Sequence, residues 1–185
     1  MSHKDPKDEL VDHLPALRAF ARSLVTDAAT ADDLVQETVM KAWANIERFE
    51  PGTNLKAWLF TILRNTFYSA LRKRSWEVED VDEQRANRLP QKPAQDGKLA
   101  MQDFLAALRH LSDEQREALL LVGASGFSYD EAAEMCGCAT GTIKSRVNRA
   151  RERLGEILDL NEDEGIMESD ASVTAALSAV RSAST

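Results

Sequence analysis

The stretch Ser128 to Leu154, SYDEAAEMCGCATGTIKSRVNRARERL, reads as two short helices joined by a tight turn. Ser128 followed three residues later by Glu131 is a capping-box signature and predicts a helix start near Tyr129. Gly137 predicts its end, because glycine enters the left-handed cap conformation without a Cβ penalty. Thr140 is then the expected N-cap of a second helix. Ile143, Val147, Ala150 and Leu154 fall on one stripe of that helix, leaving Lys144, Arg146, Arg149, Arg151 and Arg153 on the remaining arc. Ala133, Gly137 and Ile143 stand where a helix-turn-helix needs a small contact, a turn and a core anchor. Such a motif lays its second helix in the DNA major groove. The plainer alternative is a helical hairpin with a solvated basic face.

Working back along the chain, Leu99, Phe104, Leu105, Leu108 and Leu111 share a helical face, and Ser112 with Gln115 forms another capping box. That helix is expected to run through Leu119 to Val122 and stop at Gly123. Before it, Ser75 to about Lys98 contains an acidic run and Pro90, Pro93 and Gly97, which predicts a linker. Ahead of the linker lies Leu55 to Arg74, LKAWLFTILRNTFYSALRKR. Leu55, Leu59, Ile62, Leu63, Thr66 and Ala70 supply its expected buried face. Trp58, Phe60, Phe67 and Tyr68 cannot all join them, so the aromatics divide between core and surface. Aromatics beside cations suit single-stranded DNA, whose bases stack while its phosphates are tracked by charge.

Glu50 to Asn54 is a turn by composition. The preceding helix, Ala31 to about Glu47 with Thr30 as its expected cap, has an apolar face of Val35, Val39, Ala42, Trp43 and Ile46. Its polar face carries Asp32, Asp33, Gln36, Glu37 and Lys41, with Glu37 and Lys41 spaced for an i, i+4 pair. Physics alone favours a solvated surface for that polar face over a docking site. Leu10, Leu14, Leu17, Ala21 and Leu24 mark the first stripe, with Pro15 in the first turn of its main segment.

The whole is therefore expected to be all-α: two small helical domains, residues 8–75 and 99–160, a linker at 76–98, and an acidic then Ala/Ser-rich tail at 161–185. The formal charge of −8 conceals segregation. Lys56 to Arg74 holds five bases and no acid, whereas Trp76 to Glu83 holds five acids and no base. Local potential, not the sum, governs binding. An acidic total restrains non-specific DNA binding. No apolar run is long enough to span a bilayer and no signal peptide is evident, so a cytoplasmic protein is expected. Cys136 and Cys138 lack a second ligand pair for zinc, and His3, His13 and His110 are scattered. No metal, cofactor or enzyme activity is expected.

DDLVQETVMKAWANIERFEPGTNLKAWLFTILRNTFYSALRKR resembles region 2, and LSDEQREALLLVGASGFSYDEAAEMCGCATGTIKSRVNRARERL region 4, of a sigma-70 family sigma factor of the extracytoplasmic-function (ECF) group. Within the group the chain looks most like the general-stress-response type of alphaproteobacteria. The resemblance implies that Asp32, Asp33, Gln36, Glu37 and Lys41 bind the β′ clamp helices of core RNA polymerase. It implies −10 element binding by Gly52, Thr53, Asn54, Lys56, Trp58, Arg64, Asn65, Tyr68, Arg72 and Arg74. It assigns the −35 element to Thr142, Lys144, Ser145, Arg146, Asn148, Arg149 and Arg153. It further implies a β-flap contact and a stress regulon under an anti-sigma factor. The rival readings are a sigma-like decoy that binds an anti-sigma factor, and a stand-alone helix-turn-helix regulator. A decoy has no need of basic helices, and a stand-alone regulator leaves Leu55 to Arg74 unexplained.

Overall fold

The computed structural model describes residues 6–25, 27–77 and 97–158. Eight α-helices account for nearly all of these, and no strand occurs among the described residues. The first four are α1 (Pro6–Asp12), α2 (Leu14–Leu24), α3 (Ala28–Ala44) and α4 (Leu55–Glu77). The second four are α5 (Gly97–Leu108), α6 (Asp113–Leu119), α7 (Tyr129–Cys136) and α8 (Thr140–Leu158). Residues 78–96, most of the expected linker at 76–98, and residues 159–185, which include the expected tail at 161–185, lie outside the described residues. None of the described helices is long and apolar enough to cross a membrane.

In the first domain α2, α3 and α4 pack together. Leu17, Phe20, Ala21 and Leu24 of α2 are buried, and a proline in the first turn of α2 costs no hydrogen bond. The single N-terminal stripe is split at His13 into α1 and α2. The cap of α3 differs from expectation. Asp27, not Thr30, is the N-cap, accepting from the Thr30 amide at 2.8 Å and its hydroxyl at 2.9 Å. Asp is the better capping acceptor, and Thr30 completes it from three residues on.

The face of α3 is also rotated from the expected one. Ala31, Leu34, Val35, Thr38 and Ala42 are buried, whereas Trp43 is 54% exposed and Ile46 half-exposed in a 3₁₀ turn. Thr38 enters the core because its hydroxyl donates to the Leu34 carbonyl at 2.7 Å, which satisfies its one polar group internally. Trp43 instead lies under the Lys7 ammonium, 5.1 Å from the ring centre. The Glu37–Lys41 pair forms at 2.7 Å.

Helix α4 is buried on two sides. Leu55, Leu59, Leu63 and Thr66 are buried, and so are Phe60 and Phe67, while Ala70 is exposed where burial was expected. Trp58 and Tyr68 remain half-buried, so the aromatics do divide. The helix continues through Ser75 to Glu77, past the expected end of the domain, and Gly97 opens α5 where a break was expected.

The second domain gathers α5, α6 and α7 around α8. Both capping boxes form in full, at Ser112/Gln115 and Ser128/Glu131. Gly137 ends α7 at φ 65°, in the left-handed region. Gly123 does not stop the preceding helix. A wider π turn spans Leu120–Ala124, closed by the Ser125 amide on the Leu120 carbonyl at 2.8 Å. Thr140 lies inside α8 and is not its cap. Its hydroxyl donates to Asp130 at 2.7 Å, tying the second helix of the motif back to the first. Ile143, Val147, Ala150 and Leu154 are fully buried, as their spacing predicts.

The two domains pack on each other. Phe60 of α4 is the hinge of an aromatic row, 5.0 Å from Phe20 in its own domain and 5.1 Å from Phe127 in the other. Arg116 of α6 reaches across to the Leu24 carbonyl at 3.0 Å, an acceptor left open by the end of α2.

Candidate nucleic-acid and polymerase interfaces

Three faces follow from this packing. On α3, Asp32, Asp33, Gln36, Glu37 and Lys41 are all exposed, and one turn further on Met40 and Trp43 extend the same side at 65% and 54% exposure. A contiguous surface with an acidic half and an apolar half is therefore present. Sequence periodicity missed the apolar half because it assigned Trp43 to the core and left Met40 unused.

On α8 the stripe of fully buried residues orients the rest. Lys144, Asn148, Arg149 and Arg153 are exposed, and Thr142, Ser145 and Arg146 are half-buried. Arg153 is partly engaged by Glu156 at 2.7 Å, and the Lys144 ammonium sits 5.9 Å from the Tyr129 ring. Such a helix presents forked guanidinium donors and an amide, which are the groups that read base edges and hold phosphates.

The third face is α4 with the turn before it. Gly52 adopts φ 91°, which a side chain would strain, and Thr53 closes the turn on the Glu50 carbonyl at 2.8 Å. Asn54 caps α4 by accepting from the Ala57 amide at 3.1 Å. Along the helix Arg64, Asn65, Tyr68, Ser69 and Arg72 line an open cleft of about 320 Å³. The Arg64 guanidinium stacks 4.8 Å from the Tyr68 ring centre. Trp58 turns away from the cleft to pack 5.5 Å from Phe49. The side chain of Arg74 lies outside the described ones.

Several residues of this third face are already engaged, by the other domain. Arg64 Nε lies 2.8 Å from Glu117 Oε1, and the Tyr68 hydroxyl donates to Glu117 Oε2 at 3.1 Å. The Asn54 amide donates to Glu131 at 3.0 Å. Lys56 donates to the Ser125 carbonyl and stands 4.8 Å above the Phe127 ring. Glu117 is 1% exposed. Burial pushes its carboxyl above the ordinary carboxylate range, against the opposing pull of Arg64 and the Tyr68 hydroxyl. Burial would draw the Arg64 guanidinium down, but the Glu117 charge opposes it and, with smaller help from Cys136 and Tyr68, the value ends up raised. Burial, then Glu117, also push the Tyr68 hydroxyl up. Cys136 borders the same cluster, and burial with the Glu117 charge pushes its thiol up to about 12. Both cysteines are free and half-buried, and no metal-ligating cluster occurs among the described residues. Glu117 carried no signal in the sequence beyond being one acid within REALLLV, a position that helical periodicity leaves ambiguous.

The chain matches the family of sigma-70 region 2 over residues 10–77 and that of sigma-70 region 4 over residues 101–154. It is 59% identical over 152 residues to the ECF RNA polymerase sigma factor EcfG of Rhodopseudomonas palustris, covering 82% of this chain and 84% of that one. The RNA polymerase sigma factor CarQ of Myxococcus xanthus is 31% identical over 153 residues, covering 82% of this chain and 88% of the relative. Among solved structures it is similar to the sigma factor RpoE of Bartonella quintana, crystallised with the anti-sigma factor NepR. There the identity is 59% and the TM-score 0.75, over 86% of this chain and all of that one. The chain belongs to the ECF group of the sigma-70 family of RNA polymerase sigma factors. It is a sigma factor of the EcfG-like type, directing transcription initiation, in a family that is not one of enzymes.

Proposed function

We propose that the three faces divide the work of initiation among them. The exposed side of α3, Asp32, Asp33, Gln36, Glu37 and Lys41 together with Met40 and Trp43, docks the β′ clamp helices of core polymerase. The turn at Gly52, Thr53 and Asn54, with Lys56, Trp58, Arg64, Asn65, Tyr68, Arg72 and Arg74, captures the non-template strand of the −10 element. Thr142, Lys144, Ser145, Arg146, Asn148, Arg149 and Arg153 read the −35 element, and the second domain also meets the β flap. The working division of the chain is 8–75, 76–98, 99–160 and 161–185, and its place of action is the cytoplasm.

The observation that carries this reading is the split of α8. Four residues of its stripe are fully buried while Lys144, Asn148 and Arg149 are exposed, so the fold holds the helix by its apolar stripe and turns much of its basic side outward. Control of a stress regulon by a small anti-sigma protein is supported by the 59% identity to RpoE, whose structure contains NepR. Run-off transcription with purified core polymerase on a promoter library tests the whole. Transcripts from a subset of promoters carrying both elements are expected, and they should be suppressed by a NepR-type protein. Output equal to that of core enzyme alone refutes the reading.

A further inference from the structure

Glu117 is a carboxylate placed where the neighbouring residues Ala118 and Leu119 are fully buried core. Removing a carboxylate from water is costly unless ionic and hydrogen-bonding partners replace the water. Two of the partners of Glu117 come from the other domain, Arg64 at 2.8 Å and Tyr68 at 3.1 Å. Its compensation therefore depends on the two domains staying together. Around it the same face of the second domain supplies the Ser125 carbonyl to Lys56 and the Glu131 carboxylate to Asn54. The four acceptor sites are oxygens, and the four groups that face them, Arg64 as an ion pair and the other three as donors, belong to the set assigned to the −10 strand. Oxygen acceptors presented to Arg, Lys, Tyr and Asn are also what phosphates and base carbonyls offer. Arg146 of α8 adds a weaker attraction to Glu117.

The fit of the Arg64–Glu117 pair is imperfect. The two atoms are close, yet neither Arg64 Nε nor Glu117 Oε1 has an aligned hydrogen bond. A contact of that kind holds the domains without being too strong to exchange for a better ligand.

We propose that the face of the second domain centred on Glu117, with Ser125 and Glu131 at its edge, is an internal substitute for promoter DNA. It occupies the −10 site of the first domain and keeps the free chain from binding the strand until the domains part. The proposal rests on the −10 assignment above. Closure and strand capture are mutually exclusive, because Arg64, Tyr68, Lys56 and Asn54 serve both.

The test uses the full chain without polymerase. Glu117→Gln keeps the shape but turns an amide towards Arg64. Small-angle scattering should then show a larger radius of gyration, and a fluorescent −10 non-template oligonucleotide should bind at least ten-fold more tightly than to the unaltered chain. An unchanged radius overturns the proposal. A larger radius without a gain in affinity also overturns it, and Arg64→Ala in run-off transcription then shows whether the −10 assignment itself has failed. A second measurement does not depend on that variant folding. In a chain carrying only Cys138→Ser, alkylation of Cys136 reports separation, because Cys136 borders Arg64 and Glu117. Saturating oligonucleotide should accelerate it several-fold, and an unchanged rate overturns the proposal.

Discussion

Arg116 offers the sharpest quantitative prediction. It is 7% exposed, and its guanidinium donates to the carbonyls of Leu108 at 2.8 Å, Leu24 at 3.0 Å and Leu111 at 3.1 Å, with weaker contact to Arg109 at 3.4 Å. The Leu24 carbonyl ends α2, and the others lie at the end of α5 and in the turn just after it, where carbonyls lack i+4 amide partners; that of Leu108 also accepts from the Leu111 amide at 3.2 Å. Arg116→Met preserves the length of the stem and removes all the donors. Hydrogen bonds from a charged donor contribute about 1.5–3 kcal/mol each, so three at the low end come to about 4–5 kcal/mol. Burial of the extra apolar surface of Met returns about 1 kcal/mol. The expected loss is therefore ~3–4 kcal/mol, against a total stability of about 5–15 kcal/mol for a typical domain. Urea denaturation followed by helical circular dichroism measures it. Arg116→Lys should recover less than half, because an ammonium cannot fork towards three carbonyls. A loss below about 1 kcal/mol would refute the reasoning, since it would mean that water or neighbouring donors satisfy those carbonyls equally well.

Other expectations are smaller or more local. Gly137→Ala should cost about 1 kcal/mol in urea denaturation, from backbone strain at positive φ alone, because a Cβ there meets open space. Arg149→Ala should weaken binding to a −35 duplex by about 1–3 kcal/mol if it reads a base edge, and uniformly across sequences if it holds phosphate. Reversing Glu37 to Lys should leave the thermal unfolding of the chain nearly unchanged, since its exposed pair with Lys41 is worth only about 0.3–0.5 kcal/mol. The same change should slow association with core polymerase in a salt-dependent manner, as measured by competition against the unaltered chain. With its thiol held near 12 rather than 9.0, Cys136 should alkylate at pH 8 far more slowly in the folded chain than in urea. The thiolate fraction differs by roughly a thousand-fold, and equal rates would show that the cluster around Glu117 is open.

Local rules carried much of this protein. The capping boxes at Ser112 and Ser128, the glycine stop at Gly137 and the four-residue stripe of α8 involve neighbours three or four positions apart, which the backbone alone brings together. The same locality explains the basic arc of α8 and the exposed acids of α3. Where two local solutions compete, the sequence was ambiguous. Thr30 was expected to cap α3, but Asp27 three residues earlier takes that place and Thr30 donates to it. Gly123 looked like a stop, but the chain runs on through a π turn that packs beside α7.

The sequence by itself determined that the chain is helical, that it is divided by an acidic segment, and that two of its helices carry cations suited to DNA. Those features depend on composition and on short spacings. The tertiary structure alone decided which way α4 faces. Phe60 is buried between Phe20 of its own domain and Phe127 of the second, and Trp43, expected in the core, lies exposed beneath the Lys7 ammonium. It alone decided the roles of Arg116 and Glu117, whose partners are up to 92 residues distant in the chain. A buried charge is tolerated only where distant groups converge on it, and no pattern of neighbours along a sequence reports that convergence.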